Sequence, residues 1–253
     1  MRRGLVTSLL FLVFATSVAE GKAFTFKEGG LAAYVRGGAG VSRLRQDAYA
    51  NSSGSAVFAD DNVKMNTFGE VGAQFVVGVF NMRLGIEALR PKEMVIQGKN
   101  AGGSELFELT SGVFAYSPSL TFEYVYSSMG FVRFYSFLTA SYSFVTLDNK
   151  YEMTTAGNTA FSPATSYTEK AEGTAVGGVL GFGFETMFAD NATFSLDFGY
   201  RHLVVNNFKH KAAGVVIGDT VAKGDPVLNS DGSKRQLDMG GLNVGVMFRF
   251  YIF

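Results

Sequence analysis

The sequence predicts an all-β protein: a closed, antiparallel, eight-stranded transmembrane β-barrel with four long extracellular loops. Three observations carry this. Eight stretches alternate apolar and polar side chains with a period of two, the period of a strand. Their apolar side is rich in Phe, Tyr, Val and Leu, while the polar side mixes glycines with charges of both signs. The connections alternate short and long. A soluble sheet buries its apolar face and wets the other. Glycines among mixed charges suit a barrel interior, with lipid outside.

The first predicted strand, 31–42, turns Ala33, Val35, Ala39 and Val41 out and Arg36, Gly38, Gly40 and Ser42 in. The second, 66–80, sets Val71, Ala73, Phe75, Val77 and Val79 against Glu70, Gly72, Gln74 and Gly78. The third, 82–90, opposes Leu84, Ile86 and Ala88 to Arg83, Gly85 and Glu87. The fourth, 113–126, turns Phe114, Tyr116, Leu120, Phe122, Tyr124 and Tyr126 out, with Ser117, Ser119, Thr121 and Glu123 in. Pro118 falls inside it. Proline cannot donate to a ladder, so a local defect or bulge is expected there.

The fifth, 131–145, turns Val132, Phe134, Leu138, Ala140, Tyr142 and Phe144 out and Arg133, Tyr135, Thr139, Ser141 and Ser143 in. The sixth, 174–187, sets Leu180, Phe182 and Phe184 against Gly181, Gly183 and Glu185. The seventh alternates Phe194, Leu196, Phe198 and Tyr200 with Ser195, Asp197, Gly199 and Arg201. The eighth, 237 to about 250, opposes Leu242, Val244, Val246, Phe248 and Phe250 to Asn243, Gly245 and Arg249. Tight turns are expected at Asn81, 127–130 and 189–191. The long segments are 43–65, 91–112, 146–173 and 206–236. Short turns on one side and long loops on the other orient such a barrel, with the short turns and both termini in the periplasm.

Composition agrees. The 253 residues suit one domain, and no linker divides them. There is no Cys, so no disulfide, thiolate metal site or lipidated N-terminal cysteine is expected. Formal net charge is zero and no basic patch points to nucleic acid. Arg2 and Arg3, the apolar run 5–15 and Ser17-Val18-Ala19 read as a signal peptide over 1–19, with an alternative cleavage after 23. The barrel is then 24–253. The expected compartment is the bacterial outer membrane.

The inward charges are Arg36, Glu70, Arg83, Glu87, Glu123, Arg133, Glu185, Asp197, Arg201 and Arg249, five of each sign. An eight-stranded barrel is just wide enough for side chains to fill it. Balanced charges in that space are expected to pair and plug it. Arg83, Glu123, Arg133 and Glu185 fall near the short-turn end on successive strands and are expected to form one network. A gate in a narrow conduit is the functional alternative.

These features resemble the small eight-stranded outer-membrane barrels, the group that includes the transmembrane domain of outer-membrane protein A and the outer-membrane protein W type. The resemblance spans roughly Phe24 to Phe253. It implies that the terminal aromatic strand, with Phe248, Phe250 and Phe253, is the signal read by the barrel assembly machinery. Phe253 is out of phase with the other two, so a bulge near Tyr251 or a short overhang is expected. No peptidoglycan-binding domain is expected after the barrel, so that anchoring role is not carried over.

No catalytic residues, metal site or cofactor are expected. His202 has outward parity and reads as an interfacial residue. His210, in Lys209-His210-Lys211, reads as part of a basic loop patch facing water or lipid phosphates. Glycines 177, 178, 181 and 183 lack the lysine and the strand–loop–helix context of a phosphate loop. They read as space for Tyr135 and Arg133. Residues 229–232, Asn-Ser-Asp-Gly, read as a hairpin turn.

The expected function is a non-enzymatic barrel with a structural or surface-interaction role. A passive conduit for small or apolar solutes is the alternative, and outer-leaflet lipid modification a more distant one. Expected partners are outer-membrane lipids and lipopolysaccharide, the assembly machinery, and a surface ligand reached through the loops. The expected state is a monomer.

Overall fold

Strand-forming alternation runs through almost all of the computed structural model, which describes residues 29–44, 64–100, 102–129, 131–162, 165–216, 219–228 and 232–252. The segment 1–28, which includes the expected signal peptide, residues 45–63, residues 229–231 and Phe253 lie outside them. Eight long strands make the wall. They are β1 (Gly30–Ser42), β2 (Lys64–Val77), β3 (Phe80–Pro91), β4 (Glu105–Met129), β5 (Val132–Met153), β6 (Tyr167–Ala189), β7 (Ala192–Val205) and β8 (Gly241–Ile252). Each pairs antiparallel with its sequence neighbour, and β8 pairs back onto β1 through Leu31↔Ile252 to Gly40↔Asn243. The pairing thus returns to the strand where it began, and no wall strand is left as an edge.

The parities read from sequence hold along the wall. Val71, Ile86, Phe122, Leu138, Leu180 and Leu242 are exposed, whereas Arg83, Arg133, Glu185, Asp197 and Arg249 are buried. This is a polar interior inside an apolar coat, as lipid requires.

Several boundaries differ from expectation. β2 stops at Val77, and Val77↔Phe80 closes a two-residue turn at Gly78-Val79 in place of the expected turn at Asn81. Gly78 has φ +64, which glycine adopts without a Cβ clash. Pro118 causes no bulge. The β4–β5 register is the same on either side of it, from Tyr116↔Phe144 to Ser119↔Ser141. The bulge lies lower, between Val125 and Ser127. β8 starts at Gly241. Residues Leu237–Asp238 form a separate short strand that pairs with the end of β7. Tyr251 needs no bulge either, since it faces Ala32 in register and points inward, while Ile252 points out.

The long segments 91–112 and 146–173 are largely strand. β4, β5 and β6 continue past the apolar band, and Met94–Lys99 pairs onto β4. Along β5 the alternation changes phase. Up to Phe144 the outward side is apolar. Beyond it Val145, Leu147 and Tyr151 are buried, while Asp148, Lys150 and Glu152 are exposed. That is the pattern of a soluble sheet, and it marks where the strand leaves lipid. Leu106, Phe107, Leu109 and Tyr151 form a small core there with Met153, Phe161 and Tyr167. A one-turn-and-a-half helix, α1 (Thr155–Ala160), covers its end, held by Thr154, which accepts from the Gly157 amide at 3.1 Å.

Candidate functional site

The inward strand positions bring ten charged side chains into the lumen, and nine of them are buried, with Glu87 half-buried. Near the short-turn end, Glu123 from β4 meets Arg83 from β3 at 3.2 Å and Arg249 from β8 at 2.7 Å. Arg249 also contacts Glu185 of β6, and Glu185 pairs with Arg133 of β5 at 2.5 Å. Arg249 therefore joins Arg83, Glu123, Arg133 and Glu185 into one chain across the bore. Neutral groups complete it. Asn81 donates to Glu123 at 2.9 Å, Tyr251 donates to Glu185 at 2.9 Å, and Thr193 donates to the same carboxylate.

A second group lies toward the long-loop end. Arg36 reaches Asp197 at 3.0 Å and Glu70 at 3.3 Å, with Glu87 at 3.9 Å. Arg201 pairs with Glu87 at 2.6 Å. Tyr34 donates to Glu70 at 2.7 Å, and Tyr135 donates to Asp197. Arg83 lies 3.8 Å from Asp197, so all ten charges are connected. Charged groups far from water are tolerable only with such partners.

Aromatic rings fill the spaces between them. The Arg83 guanidinium sits 5.6 Å from the Tyr34 and Phe137 ring centres, and that of Arg249 5.2 Å from Tyr135. These large side chains lie directly over glycines of the next strand. A Cβ on Gly181 would come within 2.5 Å of Phe137, and one on Gly183 within 2.7 Å of both Tyr135 and Asp197. The space read for Tyr135 at Gly183 is used in that way.

Above the charges the lumen changes character. Phe68 stacks under Arg36 and Arg201, at 4.7 and 5.4 Å, and begins an apolar cluster. That cluster gathers Leu89, Val113, Val145, Leu147, Leu203 and Val205 from the wall with Leu44, Phe208, Val227, Leu237 and Met239 from the connections. Phe208 and Val227 are almost fully buried in this cluster, so the described parts of the 206–236 segment fold over the barrel mouth. Between the two layers lies a cavity lined by Ser117, Ser119, Thr139, Ser141 and Ser143 with Glu87 and Arg201.

His210 does not join a water-facing basic patch. It is buried, with Nδ1 3.4 Å from Glu169, and only its flanking lysines face out. Glu169 also receives Asn149 at 2.9 Å and has Arg235 at 3.9 Å. This cluster ties the 206–236 segment to the outer ends of β5 and β6. The sequence reading missed Glu169, Arg235 and Asn149, because it treated their segments as loop. His202 is exposed on the outer face, as its parity required. Phe248 is exposed on the wall, in phase with Phe250 and Ile252. The described residues contain no cluster of three or more His, Cys, Asp or Glu suited to a metal.

No protein-family model matches the chain, and no curated protein matches it in sequence. Solved structures do match. A major outer membrane protein from Thermus thermophilus is similar over 87% of this chain and 99% of its own, at 14% identity and a TM-score of 0.50. The outer membrane protein OprG from Pseudomonas aeruginosa is similar over 90% of this chain and 99% of its own, at 13% identity and a TM-score of 0.45. The first likeness is one of fold, and it agrees with the ring of eight strands. The chain folds as a small eight-stranded outer-membrane β-barrel. Its apolar outer wall and polar interior place this barrel in the bacterial outer membrane.

Proposed function

We propose that this outer-membrane barrel is a non-enzymatic scaffold, sealed along its axis, that presents an interaction surface at its long-loop end. The connected network of ten charges carries the reading. It crosses the bore with every member beside an opposite charge, and the apolar cluster from Phe68 to Met239 lies above it. In this reading the two stacked layers of opposite polarity, among the described residues, oppose both an aqueous and an apolar path from end to end.

The surface role draws on the outer hairpins. β4 to β6 carry their own small core and a capped helix beyond the apolar band, which is more order than a simple strand connection needs. Loops held on a rigid scaffold commonly carry binding. In this reading the short turns face the periplasm, the barrel works as a monomer, and the assembly machinery recognises its aromatic last strand.

A planar-bilayer recording tests the seal. Wild-type protein gives little or rare conductance, and Arg249→Gln, which unties Glu123 from Glu185, raises it. Steady wild-type conductance, altered by the same variant in selectivity alone, would support a conduit and overturn the sealed reading. Deleting the outer hairpin tip 100–104 while scoring folding and attachment to surfaces tests the second half. Folding survives and attachment falls.

A further inference from the structure

The wall has a defect on its outer face where β6 and β7 part. Their ladder ends at Gly177↔Leu203 and pairing resumes at Glu172↔Lys209, through the short strand Lys209–His210, with the register shifted by one residue. Among the described residues, 173–176 of β6 have no strand partner on that side. Asn207 spans the gap with its side chain. Its Oδ1 accepts from the Thr174 amide at 2.9 Å, and its Nδ2 donates to Thr174 Oγ1 at 3.2 Å. The result is a groove on the outside of the barrel. Tyr116 and Phe144 line one part of it, Thr174 and Asn207 another, and Lys209 and Lys211 a third.

The height of this groove is set by the strands. Phe144 follows Val132 by twelve residues, about 30 Å along the axis at roughly 3.3 Å per residue and a tilt near 40°. Asn207 follows Ala192 by fifteen, about 38 Å on the same basis. An apolar band is about 25 Å tall and is flanked by aromatic girdles. Tyr116 and Phe144, stacked at 4.8 Å with 12° between planes, therefore stand at the upper girdle. The hydroxyl, amide and ammonium groups stand just above it, at the level of lipid headgroups.

We propose that this groove binds a phosphorylated glycolipid of the outer leaflet. Each part of that ligand meets a matching surface. The acyl chains lie along the exposed wall below, the aromatic pair offers a face for a sugar or chain root, and the Thr174 and Asn207 groups suit sugar hydroxyls. Lys209 and Lys211 face outward on either side of buried His210 and supply charge for a phosphate. Lys170 stands nearby on β6. Glu172 lies opposite Lys209 and 3.5 Å from Lys211, and Asp148 lies opposite Lys170, so the cations outnumber the acids by one. The Lys211–Glu172 pair is half-exposed and weak, and it leaves the ammonium available to a phosphate. Membrane-surface lysines each add about 1 kcal/mol toward anionic lipid. The site is separate from the lumen and stands whether or not the barrel conducts.

Native mass spectrometry of the folded, detergent-solubilised barrel tests this, with bisphosphorylated lipid A, its dephosphorylated form, phosphatidylglycerol and inorganic phosphate as probes. The bisphosphorylated lipid is retained in preference to the other two lipids. Lys209→Gln/Lys211→Gln weakens its retention by about tenfold or more. Lys92→Gln/Lys99→Gln, which removes the same charge away from the groove, leaves it unchanged. Heat-modifiable migration shows that both variants fold. Equal retention of the dephosphorylated lipid or of phosphatidylglycerol overturns the proposal. So does equal loss in both variants, or no loss in the first. Inorganic phosphate that displaces the lipid at low millimolar concentration assigns the lysines to free phosphate and also overturns it.

Discussion

Arg83 lies 3.8 Å from Asp197, and that contact joins two groups of lumen charges that would otherwise be separate. Arg83 comes from β3 and Asp197 from β7, so the link crosses the bore. One side of Arg83 serves Glu123 and the other serves Asp197, with the Tyr34 and Phe137 rings nearby. The ten charges form one connected set of contacts, so the loss of one member is expected to reach several strands.

Glu123→Gln tests that coupling. The carboxylate holds Arg83 and Arg249 and accepts from Asn81. An amide keeps the shape and removes the charge. Both guanidinium groups then stay buried with one counter-charge fewer, at a cost of about 3–5 kcal/mol. Denaturant unfolding in lipid vesicles reads the loss. An unchanged midpoint would show that water, not Glu123, satisfies these arginines.

Gly183→Val tests the packing beneath the charges. Its Cβ would meet Tyr135, Asp197 and the Leu196 carbonyl, all within 2.8 Å. Tyr135 has nowhere to go, since it is fully buried and donates to Asp197. The expected loss is about 1–3 kcal/mol or more, with slower folding into vesicles. Gly30→Ala, where a Cβ meets nothing within 4 Å, is the control and stays within about 0.5 kcal/mol.

Much of this was legible because a lipid-facing strand has a strong signature. Val71, Phe122 and Leu180 had to face out once Glu70, Glu123 and Gly181 faced in, and period two does not permit one without the other. The partners within the lumen were less legible. Arg249 and Glu123 are distant in sequence and meet only because the ring brings β8 and β4 across the bore. Tyr34, Tyr251 and Thr193 went unread as carboxylate partners, since a lone hydroxyl on an inward parity is common and says nothing about its mate. Pro118 was legible in part. Its missing donor pointed to a local defect or bulge, and the ladder to β5 skips Ser117 and Pro118 without a change of register, while the bulge itself lies at Val125–Ser127, which carries no glycine or proline.

The outer hairpins hid behind a change of phase. Up to Phe144 the outward side of β5 is apolar. From Val145 onward the inward side is apolar, and Thr146, Asp148 and Lys150 take the outward positions. The expected strand end at 145 falls where this single pattern breaks. The inversion has a physical cause, because lipid coats the wall below and water coats it above.

That inversion predicts where β5 leaves the membrane, and the chain is suited to the measurement because it contains no cysteine. Single-cysteine variants at Ala140, Tyr142, Thr146 and Asp148 share the outward face and differ only in height. A membrane-impermeant maleimide added to intact cells reacts with Asp148→Cys rapidly and with Thr146→Cys more slowly. It leaves Ala140→Cys and Tyr142→Cys unmodified, since a thiolate does not form in lipid and the reagent does not enter it. Detergent solubilisation then exposes the lower pair to a permeant maleimide, which shows that those thiols were present and shielded. Rapid labelling at Ala140 on intact cells would place the boundary lower, shorten the membrane span of β5, and move the aromatic pair at Tyr116 and Phe144 out of the lipid.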